Sequence, residues 1–192
     1  MRVAVVQGNV PQEEKWDAAH REDILKRYAS LTEIAASTNP SLIVWPETSV
    51  PGYLGVDEEL TQAVIGLARR VQRPLFVGAP VPAIDQVRVV LRNSASLVSP
   101  SGELLQRYDK LHLVPFGEFV PFERVLPWLR NILPPIGDFS PGRDYTVFHL
   151  GSRLKAEGSR QEQLPPASSL QPPAIDFSVL ICFEDIFPEL AR

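Results

Sequence analysis

The sequence contains a single cysteine, no long apolar run and no excess of basic residues. One thiol excludes an internal disulfide framework, and neither a CxxC pair nor a paired-histidine spacing indicates a metal site. No apolar stretch reaches the roughly 18 to 20 residues that a transmembrane helix needs, and the start of the chain shows no signal-peptide pattern. The net charge of −4 argues against nucleic acid as a partner. The length, 192 residues, suits one domain with a substantial core.

The cysteine, Cys182, stands at the end of an apolar run that begins at Phe177 and turns polar directly after the thiol. This pattern predicts a buried strand that delivers the thiol to the rim of a sheet. Glu47 and Lys110 each follow another predicted strand in the same way. A carboxylate, an ammonium and a thiol at strand ends predict a nucleophilic site. Taken singly, each has an ordinary explanation: a core cysteine, a solvated turn carboxylate and a surface lysine.

Periodicity predicts an α/β domain in which strands and helices alternate and a hairpin follows. The predicted hairpin joins its two strands through a turn at 99–102, Ser-Pro-Ser-Gly. Asp57 is a candidate N-cap of the second helix. The predicted strands are 2–7, 41–45, 75–78, 87–98 and 103–108, and the predicted helices are 17–37 and 57–71.

Four blocks of the sequence form a recognisable set of motifs. They are Val-Gln-Gly-Asn-Val-Pro-Gln at 6–12 with Lys-Trp at 15–16, Trp-Pro-Glu-Thr at 45–48, Lys-Leu-His-Leu-Val-Pro-Phe-Gly-Glu-Phe-Val-Pro at 110–121 and Ile-Cys-Phe-Glu-Asp-Ile-Phe-Pro-Glu at 181–189. In this order the blocks resemble the nitrilase (carbon-nitrogen hydrolase) superfamily, and within it the apolipoprotein N-acyltransferases. The resemblance implies a four-layer α-β-β-α sandwich. Because the chain ends ten residues after Cys182, we expect residues 1–192 to form an incomplete catalytic domain. The Ser-, Gln- and Pro-rich stretch 151–174 is predicted to be an exposed loop or insertion.

The resemblance also implies a catalytic triad with one role for each member. Cys182 would be the nucleophile, Glu47 the general base, and Lys110 the ammonium that stabilises the thiolate and the oxyanion. The backbone N–H of Phe183 would be a second oxyanion donor. We expect the three side-chain termini to lie within roughly 3 to 5 Å of one another.

Four further residues are supporting candidates by the same resemblance. Glu118 would orient Lys110 and the substrate, with a structural salt bridge as the alternative. Glu184 would shape the site or cap the following helix, and Trp16 would contact substrate or simply pack. Phe183 replaces a tyrosine found in many family members, so no side-chain hydroxyl is available there. The apolar segment 116–139 is interpreted as buried core or as a lid that meets acyl chains.

The implied reaction transfers an acyl chain from a phospholipid, through a Cys182 thioester, to the α-amine of the S-diacylglyceryl cysteine of a lipoprotein. No metal or organic cofactor is implied. The implied location is the bacterial inner membrane, with the domain on the periplasmic side and with membrane spans outside this chain. A soluble nitrilase-type amidase with the same triad and a non-catalytic binding domain are the alternatives. We expect the chain alone to have little or no transferase activity.

Overall fold

The computed structural model describes residues 1–15, 17–121, 138–151 and 174–191. Within these ranges the chain forms a five-stranded sheet, a two-stranded sheet and two α-helices, in the order that the sequence predicts for its first 110 residues. The elements are β1 (Val3–Val5), α1 (Arg21–Ala36), β2 (Leu42–Val44), α2 (Glu58–Val71), β3 (Leu75–Asp85), β4 (Arg88–Val98), β5 (Leu104–Asp109), β6 (Phe148–Leu150) and β7 (Ile175–Phe177). Short 3-10 helices span Ala18–His20, Cys182–Ile186 and Pro188–Ala191.

The large sheet has the strand order β1-β2-β3-β4-β5. The first three strands are parallel and are connected through α1 and α2, whereas β3, β4 and β5 are antiparallel neighbours. The hairpin predicted between β4 and β5 is confirmed, and its turn closes with a bond from the Ser99 N–H to the Glu103 carbonyl. Because β1, β2 and β3 are parallel, their carboxyl ends lie at the same edge of the sheet. The turn that carries Glu47 follows β2, so it lies at this edge, where β3 continues toward the β3–β4 turn.

Both predicted helices are present, with local differences at their starts. Residues 18–20 form a 3-10 turn capped by the Asp17 carboxylate, so α1 begins at Arg21 instead of Asp17. Asp57 has the extended backbone of an N-cap, but its carboxylate makes no cap hydrogen bond. It accepts a bond from Arg21 at 2.9 Å, which ties the start of α2 to α1.

One face of the large sheet packs against the two helices. Trp45 lies at the centre of this core, where its indole N–H donates to Thr32 at 2.8 Å and its ring stacks on Tyr28. The packing follows from strand alternation, since Ile43 points to the helices while its neighbour Leu42 points to the other face. This core is formed mainly by Ile24, Tyr28, Ile43, Trp45, Leu60, Val64, Leu67, Leu75 and Val77.

The opposite face of the large sheet packs against the small sheet. Phe76 of β3 meets Phe148 of β6 edge to face at a centroid distance of 4.8 Å, and Phe177 of β7 stacks on Phe148. Ile181 closes the same core just before the cysteine. The described residues therefore show three layers in the order α-β-β of the predicted sandwich.

The predicted strand at 177–182 is wrong in its bounds. β7 ends at Phe177, and Cys182 begins a 3-10 helix five residues later. The stretch between them makes no strand pairing among the described residues, because β6, the antiparallel partner of β7, begins at Phe148, directly opposite Phe177. Its apolar side chains pack on the large sheet without joining a ladder, and an apolar run indicates burial more directly than it indicates strand pairing.

Three sequence predictions fall on residues that lie outside the described ranges. They concern Trp16, most of the proposed lid (122–137) and most of the proposed loop (152–173).

Candidate active site

Glu47 lies on a tight turn that follows β2. The turn passes close to β3, where the carbonyl of Gly78 accepts bonds from the N–H groups of Ser49 and Val50 at 2.9 and 3.1 Å. A side chain at Gly78 would collide with this turn, since a Cβ there would lie 2.7 Å from the Glu47 Cα. Thr48 has φ of +47°, a strained value for a β-branched residue. The carboxylate is thus held by a backbone geometry that the neighbouring strand fixes.

Lys110 follows β5 and is almost completely buried, with 1% of its side chain exposed. Its ammonium lies 3.2 Å from a Glu47 oxygen and 2.9 Å from a Glu118 oxygen. Burial disfavours the charged ammonium, but the bond to Glu118 and the charges of both carboxylates outweigh it and raise the pKa of Lys110. Lys110 is therefore a fixed buried cation and not the surface lysine of the ordinary explanation.

Asn93 of β4 connects the two carboxylates and was not predicted from the sequence. Its amide nitrogen donates to Glu47 at 2.7 Å and to Glu118 at 2.6 Å. Glu118 is held further by the N–H of Val114 at 2.8 Å. The Asn93 amide oxygen is buried and finds no hydrogen-bond partner among the described residues. The one available signal was an amide side chain in the part of β4 that is buried, where every other residue except Arg92 is apolar or small.

Cys182 is exposed and has φ of +52°, a left-handed conformation that non-glycine residues rarely adopt. Such strain concentrates at functional sites because the surrounding structure must enforce it. The thiol lines a cleft of about 670 Å³ together with Glu47, Lys110 and Glu118. The structure thus brings the four predicted side chains to one place, although they come from segments up to 135 positions apart, Glu47 to Cys182.

Opposing influences act on the thiol. Loss of solvation raises the pKa of Cys182, and the Glu47 carboxylate raises it further. The Lys110 ammonium and the backbone N–H of Phe183 act in the opposite direction and lower it. The sum of these influences raises the pKa of Cys182, so its side chain is a neutral thiol at neutral pH. The thiol lies beside the Glu47 carboxylate, which can accept its proton.

Glu184 does not line the cleft; it is fully buried behind it. One oxygen accepts from the Tyr108 hydroxyl and from the N–H groups of Leu111 and His112, and the other accepts from the N–H of Ile181. Burial and this bond raise the pKa of Tyr108, so the phenol remains the donor. The carboxylate therefore cross-links the segment that carries Cys182 to the segment that carries Lys110.

Phe183 does not line the polar cleft but lines an adjoining apolar cavity of about 540 Å³. Phe119, Phe139 and Phe187 also line this cavity, and Phe139 is shared with the polar cleft. The thiol therefore lies where a polar cleft meets an apolar one.

Comparison with known proteins identifies the family. The family model described as carbon-nitrogen hydrolase matches residues 2–192. The chain belongs to the carbon-nitrogen hydrolase family. Among curated relatives, it is 36% identical to an apolipoprotein N-acyltransferase of Geobacter metallireducens, over 100% of the chain and 33% of the relative. It is 33% identical to another of Chlorobaculum tepidum, over 98% of the chain and 36% of the relative.

The carbon-nitrogen hydrolase fold is also found in the structural comparison. An amidase from Nesterenkonia sp. superposes with a TM-score of 0.60 at 21% identity, covering 100% of this chain and 59% of that one. The nitrilase-like α/β fold predicted from the sequence is thereby confirmed. The chain spans about a third of the length of the two acyltransferases. In the part of the chain that the structure describes, no helix is sufficiently long and apolar to span a bilayer.

Proposed function

We propose that this chain is the catalytic domain of an apolipoprotein N-acyltransferase, in which Cys182 carries the acyl group as a thioester. The observation that supports this most directly is the buried Lys110 between Glu47 and Glu118, beside the one thiol of the chain. The similarity to curated acyltransferases across the whole chain selects the acyl-transfer reaction among the activities that such a site could perform.

In the first half-reaction, the Cys182 sulfur attacks an ester carbonyl of a phospholipid while Glu47 takes the thiol proton. The oxyanion that forms receives hydrogen bonds from the Lys110 ammonium and the Phe183 N–H. An ammonium has three N–H donors, and Glu47 and Glu118 accept from two, which leaves one for the oxyanion. Collapse breaks the ester bond, and Glu47 returns the proton to the departing lysophospholipid oxygen.

In the second half-reaction, the α-amine of a diacylated lipoprotein N-terminus attacks the thioester carbonyl. Glu47 takes a proton from the amine as the C–N bond forms, and the same two donors hold the second oxyanion. The C–S bond then breaks and the proton returns to the Cys182 sulfur. One site serves both halves because the two tetrahedral intermediates place their oxyanions in the same position. The implied partners are a phospholipid donor and a lipoprotein acceptor at the periplasmic face of the inner membrane, with no nucleic acid.

The test is to incubate the full-length protein with phosphatidylethanolamine and to measure the mass of the peptide that contains Cys182. We expect an acyl adduct on that peptide, none in Cys182→Ala, and release of the acyl group as an amide when a diacylated lipopeptide is added. An adduct on another residue, or acylation that survives Cys182→Ala, would exclude the proposal. Release by water alone, with ammonia produced from a small amide, would favour the amidase alternative.

A further inference from the structure

The β3–β4 hairpin extends well beyond the rest of the large sheet. Each strand has 11 residues, and they pair along their whole length from Leu75–Val98 to Asp85–Arg88. β2 pairs only with residues 75 and 76, and β5 only with residues 94–98. The distal part of the hairpin therefore projects, without another strand beside it in the described ranges, past the edge of the sheet that carries Glu47. Val87 lies six positions from Asn93, a reach of about 20 Å in an extended strand.

The tip of this hairpin is apolar and exposed. Ile84 and Val89 are direct cross-strand partners, with 81% and 76% of their surfaces exposed, and Val87 in the turn is 93% exposed. A two-stranded hairpin without a packed face is marginally stable in water. Three large aliphatic side chains at such a tip favour contact with an apolar phase.

One face of the hairpin connects this tip to the candidate active site. Side chains two apart in a strand share a face, so Asn93, Leu91 and Val89 lie in a row along β4. Leu91 makes a backbone bridge with Phe139, which lines both the polar cleft and the apolar cavity. The opposite strand contributes Pro82 and Ile84 to the same row. An apolar strip thus runs from the site to the tip.

An exposed arginine lies at the tip, in a chain whose net charge is −4. Arg88 is exposed beside Val87 and Val89, whereas Arg92 is buried and binds the Asp85 carboxylate together with Arg143. Asp138 and Asp144 are the other carboxylates close by in sequence. Arg88 is therefore the cation of the tip that suits the phosphate of a lipid headgroup.

We propose that the β3–β4 hairpin tip docks on the surface of a phospholipid bilayer, inserting Ile84, Val87 and Val89 at the level of the headgroups while Arg88 contacts lipid phosphates. This proposal rests on the proposed function, because that function requires the site to meet a lipid substrate. The consequence is geometric: because the hairpin projects from the edge that carries Glu47, its docking turns the mouth of the cleft toward the lipid.

The test is co-sedimentation of the purified 192-residue chain with vesicles of phosphatidylcholine alone and of phosphatidylcholine mixed with phosphatidylglycerol. We expect binding that is tighter on the anionic vesicles. The triple variant Ile84→Ser/Val87→Ser/Val89→Ser should lose roughly 10-fold or more in affinity, since its apolar anchor is removed. Arg88→Glu should abolish the preference for anionic lipid. Ile34→Ser is the matched control, because Ile34 is 67% exposed but lies on α1, away from the hairpin; it should bind as the parent does.

Circular dichroism melting of every variant establishes that folding is retained, which the exposure of the three side chains favours. As a second measurement, Val87→Trp should add an indole emission that brominated lipids quench. Absence of vesicle binding by the parent chain, equal binding by the triple variant, or added indole emission that brominated lipids leave unquenched would overturn the proposal. Self-association that the triple variant abolishes, without vesicle binding, would assign the tip to a second copy instead. Acylation of Cys182 in detergent micelles needs no bilayer, so its failure would count against the proposed function and not against docking.

Discussion

The Cys182 thiol lies between groups of opposite charge, and the balance between them determines how it reacts. Glu47 raises its pKa, while Lys110 and the Phe183 N–H lower it. A thiolate formed in advance would be a strong nucleophile, but the raised pKa means that the proton leaves as the sulfur attacks. In the proposed mechanism Glu47 is then the base at every turnover, and the buried Lys110 ammonium, 3.2 Å away, orients its carboxylate.

The pH dependence of thiol alkylation tests this balance. Alkylation by iodoacetamide reports the thiolate, so its rate should rise with pH around a midpoint above the ordinary thiol value of about 8.5. The Glu47 carboxylate raises the pKa of Cys182, so Glu47→Gln should move the midpoint of the alkylation profile to lower pH. The same variant should abolish the acylation of Cys182 by phospholipid. Glu13→Gln is the control, since Glu13 lines the same cleft without acting on the thiol. A midpoint that stays in place or rises in Glu47→Gln would contradict this account.

At the scale of the element, the site depends on a close approach between β3 and the turn after β2. Gly78 makes this approach possible, since its carbonyl binds two N–H groups of the turn while its missing side chain leaves space for the Glu47 backbone. The turn cannot move away without breaking these bonds. The position of the carboxylate is therefore set by a glycine in the neighbouring strand, 31 positions along the chain.

Gly78→Ala should displace Glu47 and slow acylation of Cys182. A shift of about 1 Å at a reacting group can reduce the rate by about 100-fold, so a loss of at least 10-fold is a modest expectation. Gly66→Ala is the matched control: Gly66 lies inside α2, where a Cβ would meet only the end of the Arg70 side chain at 3.7 Å. Alanine there should stabilise the protein by about 0.5 to 1 kcal/mol, measured by urea denaturation. Unchanged acylation in Gly78→Ala would show that the turn adapts without moving the carboxylate.

The secondary-structure elements are also where the predictions from the sequence and the structure can be compared. Local patterns predicted α1, α2 and the β4–β5 hairpin, because periodicity and turn residues are properties of neighbouring positions. Asn93 could not be found in this way, since its role depends on two carboxylates 46 and 25 positions away. The length of β3 was underestimated because its distal half, with Pro80 and Pro82, is paired only with β4. The convergence of Glu47, Lys110 and Cys182 was predicted from the family resemblance, and their catalytic roles remain predictions.

At the scale of the whole molecule, the site is assembled across two layers. Asn93 lies in the large sheet and Glu47 and Lys110 directly follow two of its strands, whereas Cys182 follows β7 of the small sheet through Ile181. Two features keep these layers in register: the buried Glu184 carboxylate and the aromatic core around Phe148. The helix-side core supports the large sheet alone. The two cores should therefore differ in their effect on the reaction even where they contribute equally to stability.

Phe148→Leu and Val64→Ala provide the comparison. Phe148 is fully buried between the sheets and Val64 is buried under α2, so each substitution should cost about 1 to 2 kcal/mol of unfolding free energy. For a chain of this size, that loss lowers the melting temperature by about 2 to 8 °C. At a temperature well below both transitions, Phe148→Leu should slow acylation of Cys182 several-fold, because the layer that carries the thiol can shift against the layer that carries Glu47 and Lys110. Val64→Ala should react at the parent rate. Equal rates in the two variants would mean that Glu184 alone holds the layers in register.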